Sequence, residues 1–317
     1  MPAGVELLWH GVGLIAIVVA AGVLPWVGMR LLAPSLAGSG RAVRNYRGSQ
    51  VSPGLGIVWV FWGVAVAVHQ LLAMVFALPH EYTSSLWFEI TVAVPLVAGA
   101  FAFGLIDDAF GTVGHKGFRG HLSALGHGQL TTGALKLFGI GFLALLGAAL
   151  PTLVRDGITA FTLIHYVVAV LVIGSAANTV NLFDLRPGRA LKAYSLLAVL
   201  AVPIGVWSLV RVDDGLPLVS ALFDGALVLV IALGPVLAVW RFDLGEVGML
   251  GDAGANAFGL LAGLLLVSAL PFAGVAVAGV LLLGLNLASE RVSFSAVIER
   301  TAWLAAVDGW GRAPEGK

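Results

Sequence analysis

Nine apolar runs, most of them roughly 20 residues long, are closed by charge, proline or glycine and recur along this 317-residue chain. They lie at 6–29, 54–78, 88–106, 133–150, 160–180, 192–210, 218–240, 254–270 and 272–288. A helix of that length spans about 30 Å of hydrocarbon. Only 11% of the residues are charged, against about 25% in a soluble domain, so too few polar side chains remain to coat a water-soluble surface. The expected fold is an all-α polytopic membrane protein of about nine transmembrane helices, with ten as the upper count. Pro271 is read as a turn between the last two runs, a kink in one tilted helix being the alternative. The first run is read as a retained helix, because it is too long for a cleaved leader.

Lys and Arg set the orientation. With the N-terminus outside, the inner segments hold Arg30, Arg41, Arg44, Arg47, Lys116, Arg119, Lys136, Arg186, Arg189, Lys192, Arg241, Arg291, Arg300, Arg312 and Lys317. Of the 17 basic residues only Arg155 and Arg211 fall outside. The expected location is a plasma (inner) membrane, with the active face and the C-terminus in the cytoplasm. Residues 1–317 read as one integral-membrane domain, with a cytoplasmic tail at 289–317. Within that tail 296–311 alternates apolar residues with Glu299, Arg300 and Asp308, the pattern of an interfacial amphipathic helix. A net charge of zero argues against nucleic acid as a partner. With no cysteine, thiolate and disulfide chemistry are excluded.

Most of the remaining polar residues fall in the inner loops. Asp107 and Asp108 are adjacent at the inner end of the third run, where two carboxylates repel each other and oppose the helix dipole. They need a nearby cation to stay ionised. The loop that follows, from Gly111, is rich in glycine and carries His115, Lys116, Arg119 and His121; Lys136 leads the next helix. Lys, Arg and glycine-freed N–H groups suit a phosphate.

Asn178, Asn181 and Asp184 are spaced three apart and share a stripe if helicity persists, which is costly at membrane depth unless they bind something. Interhelical hydrogen bonding by Asn is the plain alternative. Asp252 stands where a helix N-cap belongs, between Gly251 and Gly254, glycines that let a ligand approach the backbone. Its other reading is a hard oxygen ligand for Mg2+. His115 and His121 lack zinc-ligand spacing, and carboxylates with amides favour Mg2+, with Mn2+ as substitute.

Four motifs in order resemble the polyprenyl-phosphate N-acetylhexosamine-1-phosphate transferase family, which includes phospho-MurNAc-pentapeptide translocase. They are Asn45-Tyr46-Arg47-Gly48, Asp107-Asp108, Asn178-x-x-Asn181-Leu182-x-Asp184 and Gly251-Asp252-x-Gly254. The resemblance implies transfer of a sugar 1-phosphate from a UDP-sugar to a polyprenyl phosphate, releasing UMP. It implies that Asp107 orients the lipid phosphate with Asp108 beside it. Asp252 would bind Mg2+ with help from Asn181, and Asp184 would lie near the nucleotide. Asn45, Gly48, Lys116, Lys136, Asn178, Gly254 and Arg291 join them as expected substrate contacts. A homodimer in membrane lipid is the assembly that members often adopt.

Two departures shape the substrate expected. The family's second motif continues to another carboxylate, where this chain has Pro187, and the last inner loop reads Asn286 to Phe294 in place of a His-rich segment. A plain UDP-N-acetylhexosamine is therefore preferred to UDP-MurNAc-pentapeptide. Outside that reaction the readings are a non-catalytic homologue or a transporter using the acidic residues as an ion site; such sites usually lie at mid-bilayer, whereas these acids gather at one interface.

Overall fold

The computed structural model describes residues 15–16, 18–38, 42–75, 86–111, 117–154, 157–211 and 218–312. A π-helical turn, Val18–Val23, leads into α1 (Leu24–Ala37). A two-stranded antiparallel hairpin, β1 (Val43–Arg44) and β2 (Gln50–Val51), follows. A 3-10 turn, Leu55–Ile57, opens α2 (Val58–Val75). Then come α3 (Leu86–Phe110), α4 (Gly117–Gly126), and α5 (Thr132–Ala149) with a π-helical extension, Leu150–Val154. The chain continues through α6 (Ala160–Phe183), α7 (Arg189–Arg211), α8 (Leu218–Leu244), α9 (Gly251–Ala269) and α10 (Phe272–Ser289). Two short helices, α11 (Phe294–Arg300) and α12 (Ala302–Gly309), end it.

Among the described residues eight helices are long and apolar enough to cross a membrane, and α2 adds a shorter apolar stretch, Leu55–Leu71. This is the architecture of an all-α polytopic membrane protein. Pro271 takes an extended conformation and opens α10, so the last two runs are separate helices. The first helix runs past its expected end at 29: it is described over Val18–Ala37, and residues 1–14 and 17, which include the expected start, lie outside the described residues. Arg30 is therefore inside it, its guanidinium over the Trp26 ring at 5.3 Å. One Arg whose charge rests on an aromatic face does not break an apolar helix.

The stretch after Gly111 was expected to be loop, yet 117–126 forms α4. Phe118, Leu122 and Leu125 recur at helical spacing, which outweighs the one interior glycine, Gly120. In the tail the single amphipathic helix divides at Thr301, which ends α11 in an extended conformation and starts α12.

Helix α9 is the axis of the bundle. Over its most apolar 18 residues 72% are buried, against at most 44% in the same length of the other spans. Its first turns are almost all Gly and Ala, which lets neighbouring helices α3 and α6 approach closely; in lipid that packing, more than water exclusion, holds helices together. Phe258 at its centre meets Trp59 at 4.5 Å and Tyr194 at 4.8 Å between ring centroids. Each such pair contributes about 1 kcal/mol beyond area burial. Pro235 in α8 has no N–H to offer the Ile231 carbonyl. Trp62 Nε1 donates to that carbonyl at 2.9 Å, and Tyr194 donates to Ala232 beside it at 2.9 Å.

Candidate active site

Asp107 and Asp108 lie in the last turn of α3, where the helix dipole opposes negative charge. Each carboxylate finds a different remedy. Lys136, in the first turns of α5, places its Nζ 2.7 Å from Asp107 and 2.6 Å from Asp252. One ammonium thus joins carboxylates from α3 and α9. Asp108 accepts backbone N–H bonds from Asp252 and Ala253, each at 2.9 Å, so its charge lies at the positive end of α9.

Two glycines make this approach feasible. A Cβ on Gly104, one turn before Asp108, would fall 2.4 Å from the Asp252 carbonyl oxygen. Gly251 has φ +67, and a Cβ there would sit 2.7 Å from Asp108 Oδ2. Asp252 itself is in the first turn of α9 and is not its N-cap; Leu250 holds that position without a side-chain bond, and Asp108 does the capping from another helix. The N–H groups of Asp252 and Ala253, expected to await a phosphate, are engaged by Asp108. Gly254 serves packing: a Cβ would meet Gly56 Cα at 2.9 Å.

Asn178 and Asn181 lie three apart in α6, but helicity does not persist to carry the stripe on to Asp184. Asn178 is turned to α10, donating to Asn286, whose own amide donates to Thr179 Oγ1 at 2.8 Å and the Ser175 carbonyl at 3.0 Å. That is the plain interhelical pairing. Asn181 is half-buried in the last turn of α6. Helicity stops at Asp184, which leaves helical geometry at ψ 41 and is buried. Burial first, then the like charges of Asp243 and Asp252, push the Asp184 carboxyl well above the usual range, although the Gly251 N–H opposes this.

Asp243, in the last turn of α8, was not singled out from the sequence. Its Oδ2 accepts from Gly188 N–H at 2.6 Å, and it stands close enough to Asp184 to raise that group's pKa. The signal that marked Asp107, a carboxylate closing an apolar helix, was present at Asp243 as well. At Pro187, where the family pattern has a second carboxylate, the carbonyl accepts from Arg312 Nε at 2.8 Å.

Between these groups and the hairpin lies a cavity of 390 Å³, lined among others by Arg44, Tyr46, Asp184, Arg186, Asp243 and Ser295. That volume is within the usual range for a small-molecule site. Glu246 holds the hairpin down: Asn45 Nδ2 donates to it at 2.6 Å and Arg47 pairs with it at 3.2 Å. Among the described residues Glu246 is the one non-glycine at positive φ, 55°. Backbone strain of that kind persists where its surroundings fix it. Asn45 Oδ1 accepts from Arg47 and Ser49 N–H, so both ends of its amide hold the turn at Gly48. Lys116 lies outside the described residues, and Arg291 is exposed in the turn after α10.

A divalent cation must be weighed against this donor set. Among the described residues no group of three or more His, Cys, Asp or Glu side chains is arranged to hold a metal. Asp107 and Asp252, however, already converge on one positive charge, the Lys136 ammonium. Two hard carboxylate oxygens that converge on one cation are donors of the kind Mg2+ takes when water fills the rest of its shell. No protein-family model matches the chain, and no curated protein matches it.

Proposed function

We propose that this protein is a membrane phosphoglycosyltransferase, moving a sugar 1-phosphate from a UDP-N-acetylhexosamine to a polyprenyl phosphate. The observation that carries this reading is the bridge of Lys136 between Asp107 and Asp252. These residues come from three helices, the two acids belong to separate motifs of the resemblance, and they meet at one end of the bundle. Phosphoryl transfer asks for positioning and charge neutralisation more than for covalent chemistry by the protein.

In the proposed reaction an oxygen of the lipid phosphate attacks the β-phosphorus of the donor. The new P–O–P link forms as the bond from that phosphorus to the bridging oxygen breaks, and UMP leaves with the bridging oxygen and its electron pair. A phosphate monoester with a second pKa of about 6 is mostly dianionic at neutral pH, so strong base catalysis is unnecessary. Asp107 orients the acceptor. Lys136 has three N–H donors, two of them on the carboxylates, and offers the third to a phosphate oxygen. Asp108 holds the start of α9, so that Asp252 keeps its place. Bound Mg2+, or Mn2+ in its stead, would be held by Asp252 and Asp107, with Asn181 as the resemblance implies, and would neutralise the diphosphate. The cavity beside Asp184 and Tyr46 takes the nucleotide. The Lys and Arg residues at this end support a cytoplasmic face, and the proposed location is the plasma (inner) membrane.

The test is UMP release by purified protein with undecaprenyl phosphate and Mg2+, across UDP-GlcNAc, UDP-GalNAc and UDP-MurNAc-pentapeptide, with an EDTA control. Metal-dependent UMP from one N-acetylhexosamine donor is expected. Silence across the panel, or UMP from the pentapeptide donor alone, would overturn the reading as stated.

A further inference from the structure

The C-terminal segment is bound to the 184–192 region far more heavily than an appendage requires. Arg189, buried at the start of α7, makes two parallel bonds of 2.9 Å to the Asp308 carboxylate, 119 residues away. Arg312 adds a third at 2.5 Å and also donates to the Pro187 carbonyl at 2.8 Å. Lys192 donates to the carbonyls of Val307, Asp308 and Trp310 at 2.9, 2.7 and 2.8 Å, satisfying acceptors that the end of α12 leaves open. Arg186 pairs with Glu299 of α11. All four cationic side chains of the 184–192 and 312 stretches are thus engaged between loop and tail.

A buried carboxylate between two guanidiniums is poor evidence for stability, because desolvation opposes the Coulomb gain. It does fix geometry, since the Arg189 fork meets both oxygens of Asp308. What it fixes is the wall of the cavity. The loop from Asp184 to Pro187 lines one side, Gly188 N–H bonds Asp243 on another, and Ser295 of α11 lines a third while accepting from Arg189 at 2.8 Å.

We propose that Asp308 is a positioning residue for this site: by tying Arg189 and Arg312 together it fixes the 184–188 loop, which makes the C-terminal segment a working part of donor binding. The reference to the donor rests on the cavity being the nucleotide's place.

The experiment compares full-length wild type, Asp308→Asn and Asp308→Glu in detergent. Titration with the active UDP-sugar should show donor KM raised about 10-fold or more in Asp308→Asn, with kcat within about 3-fold and lipid KM unchanged. Asp308→Glu should recover part of the loss. A lower melting temperature with donor KM unchanged would overturn the proposal, because a purely structural role predicts that outcome. Hydrogen exchange on the same proteins separates this idea from the activity: Asp308→Asn should deprotect Gly188 and Arg189 amides while 251–269 stays as in wild type. If wild type turns over no donor, the functional reading fails, and the exchange result decides the positioning role alone; unchanged protection at 188 and 189 would overturn it.

Discussion

Asp108 bonds the backbone N–H of Asp252, joining the end of one helix to the start of another across 144 residues of sequence. The neighbouring acid, Asp107, instead meets the side chain of Lys136, which also holds Asp252. Two adjacent carboxylates are thereby separated: Asp108 caps the start of α9 and Asp107 pairs with a side chain.

That separation predicts different losses. Asp108→Ala removes the acceptor of two half-buried N–H groups and should destabilise the protein by about 1–3 kcal/mol, read as a lower melting temperature in detergent. Asp107→Asn and Asp252→Ala should each abolish turnover while the protein still inserts and stays monodisperse. Equal melting shifts for Asp107→Asn and Asp108→Ala would contradict the assignment.

Lys136→Ala leaves Asp107 and Asp252 facing each other without a cation. The three side chains are half-buried, so the loss should fall below the about 3–5 kcal/mol of a fully buried pair, and Mg2+ should restore part of it by binding the folded state. The melting temperature of the variant should rise with Mg2+ more steeply than that of wild type. A smaller rise than in wild type would show that the two carboxylates do not form a cation site.

Gly104→Leu should disrupt both remedies at once. Even a Cβ at this position lies 2.4 Å from the Asp252 carbonyl, backbone that cannot give way without moving α9 from α3. Overpacking of this kind costs about 1–3 kcal/mol, and activity should fall with it. Wild-type melting and turnover in Gly104→Leu would mean that the close approach of α3 and α9 is not needed.

Burial alone would raise the Asp308 carboxyl, but its bonds from Arg189 and Arg312 hold it at about 2, below the 3.8 of an unperturbed Asp. A depressed folded-state pKa adds stability that is present above about pH 4 and lost as pH falls through about 2. The size is about 2 kcal/mol. The melting-temperature gap between wild type and Asp308→Asn should be largest near neutral pH and shrink below pH 4. A gap independent of pH between 7 and 3 would contradict it.

The apolar runs were legible because one periodic signal, about 20 residues without charge, decides a span whatever surrounds it. Asp107, Lys136 and Asp252 were legible for a related reason, since a charge closing or opening such a run stands out. What escaped were pairings with no local signature. Nothing near Asp308 announces Arg189, and nothing near Asp108 announces the backbone of Asp252. For Asn178 the spacing left interhelical pairing and ligand binding both open, and only the packing of α10 brings Asn286 to it. Glycine density after Gly111 suggested a loop, while the apolar spacing of Phe118, Leu122 and Leu125 made a helix.

The most direct measurement follows the β-phosphorus of the donor. Purified protein in detergent, with undecaprenyl phosphate, Mg2+ and UDP-GlcNAc or UDP-GalNAc radiolabelled at that atom, should yield labelled lipid and unlabelled UMP, with no label transferred by Asp107→Asn or Asp252→Ala. Label that stays with the nucleotide as UDP, or lipid labelling that survives in both variants, would contradict phosphoryl transfer at this site.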